Sequence, residues 1–153
     1  MIKMEEKIRI PIYHVYKKGI KNFKNLDAFI YNVKSEKIYL IDDQTFKGKE
    51  INFKVLKEIS QIFETWYEAN IRWPEDVTDI IISGAEISVI SGAKVNEKLL
   101  KNILKITNNV ALHSNDENLL NIFIDNGGNY IITDIPFYKG KRFIIKDEWL
   151  IEL

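Results

Sequence analysis

Along the chain the hydrophobic positions switch repeatedly between a period of two, or a short continuous apolar run, and a period of 3.6, and each switch marks a change from strand to helix. Ile8, Ile10, Ile12 and His14 alternate with Arg9, Pro11, Tyr13 and Val15, which predicts a first strand ending at Lys17-Lys18-Gly19. Leu26, Phe29, Ile30 and Val33 then fall at i, i+3, i+4 and i+7 and predict a helix, and Ile38 to Ile41 reads as a short buried strand. Asn52 is placed to cap a helix with the stripe Val55, Leu56, Ile59, Ile62 and Phe63, before a strand over Trp66 to Ile71. Pro74, Glu75 and Asp76 suit a first helical turn, with Gly84 to end that helix. Ile87 to Ile90 is a strand; Val95, Leu99, Leu100, Ile103 and Ile106 mark an amphipathic helix; Val110 to Leu112 resumes the sheet. Ser114 and Glu117 form a capping-box pair ahead of Leu119, Leu120, Phe123 and Ile124, Gly127 closes that helix, and Tyr130 to Thr133 is a sixth strand.

Strands that read as continuous apolar runs between helices imply a parallel sheet covered on both faces. The expected fold is a single α/β domain over residues 1–153: about six parallel strands alternating with helices, as repeat units over 8–140 and a divergent tail over 141–153. A complete eight-unit barrel takes about 250 residues, so the sheet is expected to form an incomplete TIM-like barrel or to stay open. Open edges need covering, which predicts a homo-oligomer, most simply a two-fold dimer.

Charge changes the picture little. Lys+Arg and Asp+Glu balance at 22 each, so the overall field of a dedicated nucleic-acid binder is missing and no nucleic-acid partner is expected. Lys17, Lys18, Lys21 and Lys24 form the one basic cluster, read as a solvated loop or an anion site. The chain has no cysteine, which removes disulfides and thiolate chemistry. Met1 to Arg9 carries no apolar leader and no run approaches a membrane span, which fits a cytoplasmic protein with no membrane partner.

The landmarks follow a recognisable order. Pro11-Ile12-Tyr13-His14 followed by Gly19 is similar to an opening P-x-I-D-x-x-x-x-G strand; Asp43, Gly48 and Asn52 resemble D-x(4)-G-x(3)-N; Ile71-Arg72 with Glu75-Asp76 resembles G-G-G-I-R-x-x-E-D. Gly84-Ala85, Ile90-Ser91-Gly92 and Thr133-Asp134-Ile135 are similar to the later G-A, I-I-G and T-D-I elements. Over residues 8–140 the chain thus resembles the first six units of the phosphoribosyl isomerase and cyclase barrels of histidine biosynthesis. That resemblance implies a site at the strand C-termini, with His14 and His113 standing where the family keeps its two catalytic aspartates, Thr133 and Asp134 beside them, and Arg72, Ser91 and Gly92 toward a phosphate. The family's triple glycine is here Glu68-Ala69-Asn70, whose carboxylate would repel an anion, and no room is apparent for strands seven and eight.

Histidine suits acid-base work because its ordinary pKa of ~6.5 leaves both protonation states available near neutrality. Two functions therefore stay open. One is an isomerase or lyase acting on a small phosphorylated, sugar-phosphate-like metabolite; the other is a degenerate barrel that binds a ligand or a protein without catalysis. No cofactor is expected, and Asp42-Asp43 at a strand end is the one weak metal candidate.

Overall fold

A computed structural model of the chain describes residues 7–153; residues 1–6, part of the segment read as lacking a leader, lie outside the described residues. The elements follow as β1 (Arg9–Tyr16), β2 (Gly19–Ile20), α1 (Leu26–Asn32), β3 (Lys37–Asp42), a 3-10 turn (Asp43–Lys47), α2 (Phe53–Ser60), β4 (Glu64–Asn70), α3 (Pro74–Ile82), β5 (Ile87–Ser91), α4 (Glu97–Ile106), β6 (Val110–His113), α5 (Glu117–Asp125), β7 (Tyr130–Ile132), β8 (Lys141–Lys146) and β9 (Trp149–Glu152).

The helices begin where side chains satisfy their free N–H groups. Asn25, Asn52, Asn96 and Asp116 each accept from the backbone three residues on. At α5 the cap is therefore Asp116 rather than Ser114, whose hydroxyl instead accepts from the Asp116 N–H.

The sheet corrects the expected architecture. β1, β3, β4, β5, β6, β7 and β8 are neighbours in that order and mutually parallel. β9 then pairs antiparallel with both β8 and β1, so eight strands close into a mixed barrel that is neither incomplete nor open. The expectation failed on the tail: residues 133–153 supply strands seven and eight after all, because the last two units dispense with helices. A helix-free segment links β7 to β8, and a two-residue hairpin, Asp147 (φ 51) and Glu148 (φ 62), links β8 to β9. Both φ values suit a type I′ turn, whose twist matches that of paired strands. Closure also removes the reason given for a dimer, since β1 and β8 each have neighbours on both sides.

Period-two alternation sorts the side chains into two layers. Ile10, Ile12, Tyr39, Trp66, Ile87, Val89, Ala111, Ile132, Phe143 and Leu150 point into the barrel. Val15, Leu40, Tyr67, Ile90, Leu112 and Ile131 point outward into a second core with the apolar stripes of the helices, among them Leu56, Ile80, Leu100 and Phe123. The interior is packed with rings: the Trp66 centroid lies 5.3 Å from that of Phe143 and 5.6 Å from that of Tyr130. One glycine is fixed by geometry. Gly92 leaves β5 at φ +107, and a Cβ there would stand 2.0 Å from Asn70 Oδ1.

Candidate acid-base site at the barrel mouth

The C-termini of the parallel strands share one end of the barrel, and there the inward positions change from apolar to ionisable. On β4, Trp66 and Glu68 share the inward face, so the Glu68 carboxylate lies above the Trp66 ring and is 5% exposed. A carboxylate so buried requires donors. Glu68 Oε1 accepts from the Tyr39 hydroxyl on β3 and from His113 Nδ1–H on β6, the latter at 2.8 Å. Burial, reinforced by the Glu68 charge, pushes the Tyr39 phenol well above its ordinary value, so it remains a donor. Burial alone pulls the His113 imidazole down, but the hydrogen bond and negative charge of Glu68, joined by the charge of Asp134, outweigh it and hold His113 above the ordinary histidine value.

This arrangement fixes the tautomer. With Nδ1–H given to Glu68, the neutral ring presents its lone pair at Nε2, which makes no hydrogen bond among the described residues. The ring remains about one-third exposed, so a proton on Nε2 can be exchanged with a bound molecule.

The same pairing makes stability depend on pH. A histidine raised on folding contributes fully below its unfolded value of ~6.5, and the contribution is lost as pH rises through the folded value. Melting temperatures between pH 5.5 and 8.5 are expected to fall with rising pH in the native chain, and less steeply in Glu68→Gln. Parallel slopes for the two would remove the coupling.

His14 is held differently. It ends the inward series of β1 and is the point where β9 gives way to β2 as the neighbour of β1. Its Nδ1 lies 2.9 Å from Asp43 Oδ2 and its Nε2 2.9 Å from Glu148 Oε2, so each ring nitrogen is engaged by a carboxylate. The Glu148 carbonyl also accepts from the Ile12 N–H at 2.8 Å. His14 thus ties the closing hairpin to the ends of β1 and β3, beside a cleft of about 330 Å³ lined by Tyr16, Lys21, Asp43 and Lys47.

The two histidines share the mouth but not a partner, and β1 and β6 stand four strands apart in a ring of eight, on opposite walls. Asp134 lies near enough to His113 for its charge to act there. Thr133 is buried, donating to Asn115 Oδ1 while its carbonyl accepts from Arg142, which makes it a support of the β7 end. Ser91 shares the inward face of β5 with Val89 and its carbonyl accepts from Ile71 N–H, with Gly92 beyond it. Arg72 lines a cleft of about 290 Å³ with Trp73, Lys94 and Lys98, its Nε 4.0 Å from Asp76 Oδ2.

Asp42 and Asp43 do not converge on one ion. Asp42 points outward into the helix layer, where Oδ2 accepts from Tyr67 O–H at 2.6 Å and Asn52 N–H at 2.9 Å; burial raises its carboxyl despite those donors. Among the described residues no group of three or more His, Asp or Glu is arranged to hold a metal. No described helix is long and apolar enough to cross a membrane.

Three participants escaped the sequence. Glu68 registered only as a missing glycine, although a charge two residues after Trp66 in a strand buried on both faces was itself a signal. Tyr39 looked like one more core aromatic. Glu148 lay in a tail whose turn lacks the Gly or Asn that usually betrays a hairpin. Compared with known proteins, the chain matches no family model, and no curated relative is found.

Proposed function

We propose that the chain is an acid-base enzyme, an isomerase or lyase, that moves a proton on a small phosphorylated metabolite at the barrel mouth. The observation that carries this reading is the buried Glu68 carboxylate orienting the one-third-exposed His113 ring through Nδ1–H, while Nε2 makes no hydrogen bond among the described residues. Carboxylate-oriented imidazoles act as general acid and base because the carboxylate fixes the tautomer and stabilises the imidazolium. Tyr39 completes the support from below, so the ring's orientation is set before any ligand arrives. The resemblance to the histidine-biosynthesis barrels supports the same end of the barrel and the same substrate class, with His113 taking the place of an aspartate. His14, engaged on both nitrogens, acts in this reading as a positioning residue that holds the closing hairpin.

The test is exchange chemistry. The protein is incubated in D2O with a panel of phosphorylated α-hydroxy aldehydes and ketones, and carbon-bound deuterium is followed by proton NMR. Exchange is expected with at least one of them, and His113→Asn is expected to slow it by about 10²–10⁴-fold, the usual worth of a positioned acid or base. A rate unaffected by His113→Asn, or no exchange with any member of the panel, would sink the proposal. The alternative of a non-catalytic binding barrel is favoured by one feature, the engagement of His14 between two carboxylates where the related family has a free catalytic aspartate.

A further inference from the structure

The balance of 22 basic against 22 acidic residues conceals a local imbalance. Three clefts of about 240, 320 and 330 Å³ adjoin on the rim outside β1 and β3, for the first two share Lys17 and Asn52 and the last two share Gln44. Their lining includes Lys17, Lys18 and Lys21 around the β1–β2 turn, Lys47 and Lys49 from the 3-10 turn and the loop after it, and Lys54 from α2. All six are exposed, and none makes an ion pair among the described residues. Among the described residues the acidic side chains in the lining are Asp43, Glu50 and Glu58, and Asp43 is engaged by His14. Elsewhere Lys37 pairs with Glu64 and Glu86, Lys101 with Glu97 and Lys141 with Glu152, so what sets the trough apart is the convergence of six lysines on adjoining clefts rather than the lack of ion pairs.

An aromatic ring lies in the same trough. Tyr16, 39% exposed, lines the cleft with Lys21 and Lys47, and Phe46, 43% exposed, precedes Lys47. A single phosphate would fill one of these clefts and leave most of the lysines unneutralised. A continuous basic trough with an accessible ring is how proteins hold single-stranded nucleic acid: lysines track the phosphates and bases stack on the ring without sequence selectivity. We propose that this rim binds single-stranded nucleic acid, with Lys17, Lys18, Lys21, Lys47, Lys49 and Lys54 on the backbone and Tyr16 as the stacking platform. The site is separate from the Glu68–His113 pair and does not depend on the proposed enzymatic activity.

The test uses the full chain and a fluorescein-labelled twelve-nucleotide oligouridylate, read by anisotropy between 25 and 200 mM salt. Single strands lose affinity with a log-log slope of about 0.7 per neutralised phosphate, so six contacts give about −4. The triple variant K17Q/K18Q/K21Q is expected to weaken binding at least tenfold at 50 mM salt and to flatten the slope by about 2. Tyr16→Leu, which keeps the bulk of the side chain without a stacking face, is expected to weaken it about tenfold with the slope unchanged. Absence of binding at 100 µM protein, or a triple variant that binds like the native chain with an unchanged melting curve, overturns the proposal. Loss of binding in the triple variant with no effect of Tyr16→Leu, and equal competition by inorganic polyphosphate, overturns the nucleic-acid assignment in favour of a trough for any polyanion.

Discussion

Trp66→Ala is expected to lower stability by about 3–5 kcal/mol, the usual cost of deleting a large ring from a core that cannot collapse around the gap. The collapse is blocked by geometry, because Trp66 sits inside a closed ring of strands with Tyr39, Tyr130 and Phe143 against it, and backbone hydrogen bonds fix the radius. A domain with ~5–15 kcal/mol in total loses a large share of it. Trp66→Phe should cost less than half as much, because the buried Trp66 Nε1–H has no hydrogen-bond partner among the described residues and phenylalanine keeps most of the ring contact. Urea unfolding of both variants checks this, and equal losses would mean that ring volume is not what Trp66 contributes.

The second large effect concerns the closing hairpin. A chain ended after Gly140 is expected to lose its cooperative thermal transition and to associate. That cut removes Phe143 and Leu150, both fully buried, along with the partners of β7 and of residues 9–11 of β1. Each such side chain contributes about 2–5 kcal/mol, and the exposed parallel edges invite pairing between molecules. Calorimetry with light scattering decides: a sharp transition in a monodisperse monomer would show that the first seven strands fold without β8 and β9.

The hairpin is also where sequence reasoning stopped. Most element boundaries up to Thr133 are legible because apolar periodicity, asparagine caps and glycines recur there as local signals, each set by a few adjacent residues. Closure is not local. Whether Ile144 and Leu150 end a sheet or join its two edges depends on strand tilt and register summed around the ring, and nothing within residues 141–153 encodes that sum. The assumption that each unit needs its helix turned a short tail into evidence for an open sheet. At the site, sequence order marked the strand ends, so His14 and His113 were legible as residues of the mouth. Their partners were not, because Glu68 meets Tyr39 on the neighbouring strand β3 and His113 across β5, contacts that exist only once the sheet is assembled. Asp42 and Asp43 show the converse: adjacency suggested a shared ion, but Asp42 at the end of β3 meets Tyr67 in the helix layer while Asp43, opening the 3-10 turn, meets His14.

The pairing of β9 with β1, which joins Arg9 to Ile151 and Pro11 to Trp149, also sets the order of events during synthesis. Contacts between strands this far apart in sequence carry a large loop-closure cost and slow folding. The repeat units can form their helices and pair in succession as they leave the ribosome, yet the first strand must wait with one edge open until the last has been made. Through that interval the interior faces of Ile10, Ile12 and Trp66 lack their final cover, and the nascent chain is then most exposed to aggregation and most dependent on chaperones.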